Sequence, residues 1–201
     1  LRTIDIQLSI SEAGEVFRLL KSNGRIHSSV ENWQPEWEKV ESKGLLIEYV
    51  YLLTQGQMIE ERITSQIRTL NDQPDGAAKL EILRLIALSD VMNLKLRTQA
   101  LTHHIRSTIG FTRDHGKVYQ QLEQEYYVKF DQEYVEGLHP VRSKHLTREL
   151  IIGVSVLETV LNLFRILDQS FIYDFFIALP DQLAEDSKSD VFKALASEMK
   201  T

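Results

Sequence analysis

The stretch YYVKFDQEYVEG (residues 126–137) decides the fold of this chain, because it predicts a β-hairpin within a mostly helical sequence. Runs rich in tyrosine, valine and phenylalanine flank a short polar turn, which is the usual pattern of two paired strands. Strands this short are not stable alone, so we expect the hairpin to pack on neighbouring helices. Helical patterns precede it near residues 79–92, 95–105 and 114–124. Three helices followed by a hairpin is the element order of a winged-helix domain.

The sequence before this domain predicts a small helical bundle. Ser9 stands three residues before Glu12, which is the spacing of a capping box at the start of a helix. A strongly helical pattern covers residues 45–70, and Gly56 divides it into two helices. The turn-forming run NDQPDG (residues 71–76) then marks the clearest boundary in the chain.

The sequence after residue 140 is nearly all helical, apart from a polar break that we expect at residues 186–190, before a last short helix. The predicted fold is therefore mainly α: a small helical lid bundle, a winged-helix domain of three helices and a β-hairpin, and then α-helical hairpins. We assign the bundle, with a strand before it, to residues 1–70 and the winged helix to 71–150. Residues 151–201 would form a helical segment that could begin an α-solenoid.

Composition and charge restrict the class of protein. The net charge of −6 does not favour a general nucleic-acid binder, because such binding relies on lysine and arginine at phosphates. The absence of cysteine excludes disulfides, thiol catalysis and iron–sulfur clusters. The first residues lack the apolar core of a signal peptide, and the longest apolar stretch contains Glu158 and is too short to cross a bilayer. We therefore expect a cytoplasmic protein without a membrane partner.

The start of the chain predicts that it belongs to a longer protein. Leu1 is not an initiator residue. Residues 3–8 alternate like a strand but have no strand partner nearby in the sequence. We expect the chain to be a piece of something longer.

No catalytic or metal-binding motif stands out. The sequence contains no GxxxxGK[ST] loop, no GxSxG, no HExxH and no EF-hand loop. The adjacent His103 and His104 would point about 100° apart on a helix, so they could not easily share a metal ion. We expect the histidines other than His139 to be solvated or half-buried, and no metal site. Trp33 and Trp37 are four residues apart, so we expect them to close a small core from one side of a helix.

The charge of the predicted winged helix argues against DNA binding. In such domains the third helix enters the major groove and the wing contacts the backbone. Residues 114–136 carry an excess of carboxylates over Lys117 and Lys129, so that surface would repel phosphates. The carboxylates are those of Asp114, Glu123, Glu125, Asp131, Glu133 and Glu136.

His139 lies between the hairpin and a helix that Pro140 is well suited to begin. A residue before proline is held in extended geometry, so its ring projects from the end of the strand. The N-terminus of the helix, with Arg142 and Lys144 in its first turn, suits an anion. The local chemistry leaves two interpretations open. His139 either contacts a phosphate, or it caps its own helix or packs against the wing, and the local chemistry favours the second interpretation.

Two segments of the predicted lid resemble the STAND ATPases, the signal-transducing NTPases that include NLR immune receptors and prokaryotic antiviral sensors. RTIDIQLSISEAGEVF (residues 2–17) resembles the end of the ATPase core, where a strand leads into the first helix of the lid. KGLLIEYVYLLTQG (residues 43–56) resembles the lid motif usually written GLPLAL. The usual proline is absent, and Leu45 or Leu46 takes its position.

A third segment, VEGLHPVRSKHL (residues 135–146), resembles the MHD-type motif at the end of the winged helix in the same family. Leu138 and His139 occupy the Met-His positions. Pro140 replaces the usual acidic residue, so the role of that residue is not carried over. The resemblance covers roughly residues 1–150 through the order of these parts.

The resemblance implies that His139 contacts the β-phosphate of bound ADP and holds a closed resting state, and that Gly44 and Leu45 lie near the adenine and ribose. It implies ATP or ADP as cofactor, with Mg²⁺ held by an ATPase core upstream, and no catalytic residue within this chain. A protein trigger at the C-terminal sensor, with exchange of ADP for ATP, would release the winged helix and permit homo-oligomerisation in antiviral defence. Two alternatives are a stand-alone winged-helix regulator that binds DNA or a protein partner, and a helical scaffold without ligand.

Overall fold

The computed structural model of the chain describes residues 7–42, 44–111, 114–125, 127–131, 133–151 and 155–200, apart from the side chain of residue 151. Within these ranges the protein is mainly α-helical with one small sheet, which confirms the predicted class. The helices are α1 Ile10–Ser22, α2 Trp33–Val40, α3 Leu46–Gln55, α4 Ile59–Asn71, α5 Gly76–Val91, α6 Thr98–Ile109, α7 His115–Gln124, α8 Pro140–Ile151, α9 Val156–Ile166, α10 Ile172–Ala178 and α11 Glu185–Glu198. The strands are β1 Leu96–Arg97, β2 Val128–Asp131 and β3 Tyr134–Gly137, and short 3-10 helices cover Gln169–Phe171 and Leu179–Gln182.

The chain is divided into two compact units. Unit 1 covers Leu1–Gln66 and unit 2 covers Ile67–Thr201, so α4 contributes residues to both. The limits assigned to the three predicted segments stay a prediction.

The N-terminus of α1 has the predicted capping box. The Ser9 hydroxyl accepts from the Glu12 N–H at 3.4 Å, and the Glu12 carboxylate accepts from the Ser9 N–H at 2.7 Å. The hydrogen bonds from Ser9 lower the pKa of Glu12 below its usual value. The strand predicted at residues 3–8 lies mostly outside the described residues, and Gln7 forms a single antiparallel bridge with Leu45.

The core of unit 1 lies among α1, α2 and α3. Trp37 is buried and meets Tyr49 edge to face, with 5.4 Å between the ring centres. Trp33 packs against the same core, and a side chain at Gly14 would approach its ring to 3.3 Å. Both tryptophans therefore close a small core, as predicted. The other buried members are Ala13, Phe17, Val30, Val40, Leu52 and Leu53.

Gly56 ends α3, which confirms the predicted division of the long helical pattern. Its φ of +71° is a left-handed conformation that favours glycine, and its N–H donates to the Leu52 carbonyl at 2.8 Å. A Cβ at this position would lie 2.4 Å from Nδ1 of His27. Both the backbone and the neighbouring side chain therefore require glycine here.

The central helix of unit 2 is α5, which packs against α6, α8, α9 and β3. Because partners surround it, α5 is buried on almost every side, and Leu80 is only partly buried. The buried residues are Gly76, Ala78, Lys79, Glu81, Ile82, Leu83, Leu85, Ile86, Ala87, Leu88 and Ser89.

The predicted hairpin is present as β2 and β3, and a third strand joins it. β1 pairs with β3, so the strand order is β1-β3-β2 and every pair is antiparallel. The prediction of a helix from residue 95 is wrong at its start, because Leu96 and Arg97 pair with Val135 and Tyr134 before α6 begins. A strand of two residues depends on a partner far away in sequence and leaves no local period.

The C-terminal helices pack within unit 2. Pro140 begins α8 as predicted, and α9 packs against α5, α6 and α11. The polar break predicted at residues 186–190 is wrong, because α11 runs through it from Glu185. Acidic residues in its first turn and the 2.6 Å ion pair of Lys188 with Glu185 stabilise this helix start, while Val191 and Leu195 are buried.

Candidate functional site

His139 caps the helix that follows it. Its Nδ1 accepts a hydrogen bond from the Val141 N–H at 3.2 Å, and its carbonyl accepts from the Ser143 N–H at 3.0 Å. An accepting Nδ1 places the proton of the neutral ring on Nε2. The described residues provide no hydrogen-bond partner for Nε2, so this atom is left as a donor.

Capping uses much of the anion-binding capacity that the sequence predicts at the start of α8. Pro140 has no N–H, and the N–H groups of Val141 and Ser143 already donate to His139. The guanidinium of Arg142 lies over the ring of Tyr127, 4.9 Å from its centre. An anion at this helix start would therefore depend on the His139 side chain more than on backbone N–H groups.

Asp90, at the end of α5, lies beneath the junction of β3 and α8. Its carboxylate accepts a hydrogen bond from the Ser143 hydroxyl, while Oδ2 is buried without a hydrogen-bond partner among the described residues. A Cβ at Gly137 would lie 2.7 Å from this Oδ2 and 2.3 Å from the Ser143 hydroxyl oxygen. The junction that holds His139 therefore fits only glycine at position 137.

The electrostatics around Asp90 connect it to His139. Burial raises the pKa of Asp90, and the charge of Glu136 acts in the same direction. The Ser143 hydroxyl and the Gly137 N–H oppose this rise, as a positive charge on His139 would. Sequence reasoning missed Asp90, since its contacts to Gly137 and Ser143 join residues that are far apart in the chain.

Gly44 and Leu45, the other two predicted site residues, lie in unit 1 at the start of α3. Gly44 is buried with a φ of +60°, and its carbonyl accepts from the Leu8 N–H at 2.8 Å. Leu45 precedes the first turn of α3 in an extended conformation and provides no side-chain cap. Backbone geometry therefore defines this helix start, in contrast to the side-chain cap at His139.

A polar cluster lies in the core of unit 2. Glu81 is 6% exposed, and its Oε1 lies 3.3 Å from Nε2 of His104 and 3.5 Å from Nδ2 of Asn162. Arg84 forms an ion pair with Glu81 and donates to the Leu150 carbonyl at 3.1 Å. These contacts join α5 to α6, α8 and α9.

The chemistry of Glu81 follows from these partners. Burial acts to raise its pKa, but the hydrogen bond from His104 and the charge of Arg84 outweigh burial, so the pKa lies below its usual value. The expectation that the other histidines are solvated or half-buried is wrong for His104 and for His145, which are both buried. The shared helical face of Leu101, His104 and Ile105 was a signal for the burial of His104.

Among the described residues, no group of three or more histidine, aspartate or glutamate side chains could hold a metal ion. No helix in the described ranges has both the length and the apolarity needed to cross a membrane. No family model, curated protein or solved structure matches the chain.

Proposed function

We propose that the chain is the lid and winged-helix switch module of a cytoplasmic STAND ATPase, which senses ADP or ATP and controls oligomerisation in antiviral defence. In this proposal α1–α4 form the lid, and α5 through α8 form the winged-helix domain predicted at residues 71–150. The helices α9–α11 begin a sensor that is the site for a protein trigger. The order helix, strand, two helices, two strands supports the winged helix, as does the strand order β1-β3-β2.

The observation that carries the nucleotide proposal is the hydrogen bond between the Val141 N–H and Nδ1 of His139. It holds the ring and leaves Nε2–H as a donor that can contact a phosphate oxygen without first becoming charged. The capping interpretation and the phosphate interpretation are therefore compatible, because they use different nitrogens of the same ring.

In the proposed resting state, His139 donates from Nε2 to the β-phosphate of ADP, and Gly44 and Leu45 contact the adenine and ribose. Mg²⁺ and the catalytic groups belong to an upstream ATPase core, which is the first partner of this module. A ligand favours one state only through contacts that differ between the states, and the His139 contact is such a difference. Its loss would favour the open state that forms homo-oligomers.

The test compares two substitutions of His139 in the full-length protein that carries this chain. His139→Asn keeps a side-chain oxygen that can cap α8 but has no donor at the Nε2 position, whereas His139→Ala loses both functions. Each should weaken ADP binding about tenfold, the effect of one good hydrogen bond, and each should allow oligomers to form without a trigger. Only His139→Ala should also lower the free energy of unfolding, by about 1 kcal/mol. A His139→Ala protein that stays ADP-bound and inactive contradicts the proposal.

The alternative is a stand-alone winged-helix regulator that binds DNA or a protein partner. The element order of unit 2 is compatible with it, but the carboxylates of α7 through β3 oppose binding to phosphates. A shift of duplex DNA by the chain at physiological salt would favour this alternative over the nucleotide switch.

A further inference from the structure

Arg97, the last residue of β1, joins the hairpin to the end of α9. Its Nε donates to Oδ2 of Asp168 at 2.5 Å, and its guanidinium forms an ion pair with Glu133 in the hairpin turn. The same guanidinium lies over the ring of Tyr134, 5.3 Å from its centre. Asp168 follows α9 and caps the next 3-10 helix by accepting from the N–H and hydroxyl of Ser170, at 3.0 and 2.7 Å.

The pKa of Asp168 shows how strongly its charge is stabilised. The hydrogen bonds from Ser170 and the guanidinium of Arg97 lower this pKa to about 2. Asp168 is therefore ionised near neutral pH, so the formation of the ion pair depends on the positions of the two side chains and not on the pH.

The pairing of β1 with β3 connects Arg97 to the segment that leads to His139. Arg97 lies opposite Tyr134 in the register of β1 and β3, and the Thr98 N–H donates to the Glu133 carbonyl at 3.0 Å. β3 then continues from Tyr134 to Gly137, two residues before His139. Gly137 fits closely over Asp90 and Ser143, so a displacement of β3 should also displace the start of α8.

Among the described residues, two polar contacts of different character connect α9 and the residues just after it to α5 and β1. Asn162 is 7% exposed and its Nδ2 lies 3.5 Å from the Glu81 carboxylate, so it belongs to the buried cluster. Asp168 is six residues further along and meets Arg97, and the two side chains are 21% and 43% exposed. A buried polar contact is costly to open, whereas water can replace a partly exposed ion pair more easily. The Asp168 end of α9 is therefore the attachment that can open and close reversibly.

We propose that the Arg97–Asp168 ion pair is a releasable link through which α9–α11 position His139. Arg97 and Asp168 are positioning residues: neither contacts a nucleotide, and both act through β1 and β3. The inference rests on the proposed function only for the meaning of His139 as a nucleotide contact. A protein partner that draws the end of α9 away would break the ion pair and loosen the junction that holds the histidine.

The test measures backbone hydrogen exchange in the 201-residue chain, because coupling must be shown by a response and not by proximity. Asp168→Asn keeps an acceptor for Ser170 but removes the charge that pairs with Arg97. We expect exchange over residues 134–143, which include the Val141 N–H bonded to His139, to become about fivefold faster. Arg97→Gln removes the same ion pair from the other side together with the contacts to Glu133 and Tyr134, so its response over residues 134–143 should be at least as large.

Two matched controls define the result. Glu198→Gln removes a carboxylate that pairs with Arg165 inside α9–α11, at 2.6 Å, without touching β1, and should leave residues 134–143 unchanged. Ser170→Ala removes the hydroxyl that donates to Asp168 but keeps the ion pair with Arg97. It should also leave the exchange rates of residues 134–143 unchanged. Unchanged exchange in Asp168→Asn overturns the proposal, as does an equal response in either control. A rise spread evenly over all elements in both Asp168→Asn and Arg97→Gln overturns it too, since that is a general loss of stability.

The nucleotide proposal can fail independently of this link. Exchange is measured without ADP, so His139 variants that bind ADP normally would leave a positive exchange result intact. Conversely, unchanged exchange would remove the link even if His139 binds the β-phosphate.

Discussion

The cores of the two units differ in how their buried polar groups are arranged. Both cores are mainly apolar, and unit 1 buries Glu48 on α3 next to the cluster around Trp37. Unit 2 buries a connected polar cluster, in which Glu81 of α5 meets His104 and Asn162. Apolar contacts are non-directional, so they tolerate small rearrangements. Hydrogen bonds and ion pairs are directional, and each member of a polar cluster depends on the others. The docking of α5, α6 and α9 should therefore be the more sensitive to a single substitution.

The largest expected effect tests that sensitivity at Glu81. Glu81→Ala leaves Arg84 and His104 in a buried site without their shared acceptor, so it should lower the free energy of unfolding by about 4 kcal/mol at pH 7. Urea denaturation followed by circular dichroism measures the loss. Glu185→Ala, at a carboxylate that is 90% exposed, should cost no more than about 0.5 kcal/mol. Equal losses in the two variants would mean that the buried cluster around Glu81 contributes no more to the stability of unit 2 than an exposed carboxylate does.

The pH dependence of the same variant carries a definite sign. Because the pKa of Glu81 is lowered in the folded state, its contribution to stability is present above the usual value of 4.5 and is lost as the pH falls through the folded pKa. The difference between wild type and Glu81→Ala should therefore be constant near neutral pH and shrink in acid. A difference that grows as the pH falls would contradict the assignment of Glu81 as the ionised centre of the cluster.

The next effect concerns the apolar core of unit 1. Leu53 is fully buried, so Leu53→Ala should leave a cavity and cost about 3 kcal/mol. Leu19, on α1, is 64% exposed, and Leu19→Ala should change stability by no more than about 0.5 kcal/mol. Both tryptophans of the chain lie in α2, so tryptophan fluorescence reports on unit 1 in both variants. Similar midpoints for the two variants would show that the cluster is not the stabilising core.

The same contrast explains how much the sequence could predict. The capping box at Ser9, the end of α3 at Gly56 and the hairpin depend on residues close in sequence, and all three are confirmed. The two-residue strand β1 was missed because its partner in β3 lies almost forty residues away, roughly the length of a small supersecondary unit.

The candidate site divides along the same line. The position of His139 before α8 could be predicted, because Pro140 marks the start of a helix locally. The Asp90 and Ser143 side chains beneath it could not, since α5 and α8 meet only in the folded unit. The burial of His104 was missed although Leu101 and Ile105 share its helical face, whereas its partner Glu81 could not be predicted, because it lies on another helix.

The smallest expected effect has the opposite sign and lies at Asp90. Its pKa is raised in the folded state, chiefly by burial, so the folded protein binds this proton more tightly than the unfolded chain. That contribution to stability is fully present below the usual value of 3.8 and is lost as the pH rises through the folded pKa. Ionised Asp90 is therefore unfavourable at neutral pH.

Asp90→Asn removes this charge while keeping an acceptor for the Ser143 hydroxyl, so it should raise the free energy of unfolding at pH 7 by about 0.5 to 1 kcal/mol. Urea denaturation at several pH values between 4 and 8 should show this gain growing with pH and vanishing towards the acid end. Asp190→Asn, at a side chain that is 78% exposed, serves as the control and should show no such trend. A loss of stability at neutral pH would mean that the ionised carboxylate is needed to hold the junction of β3 and α8. The ionised carboxylates of Asp90 and Glu81 would then both stabilise unit 2, although burial acts to raise the pKa of each.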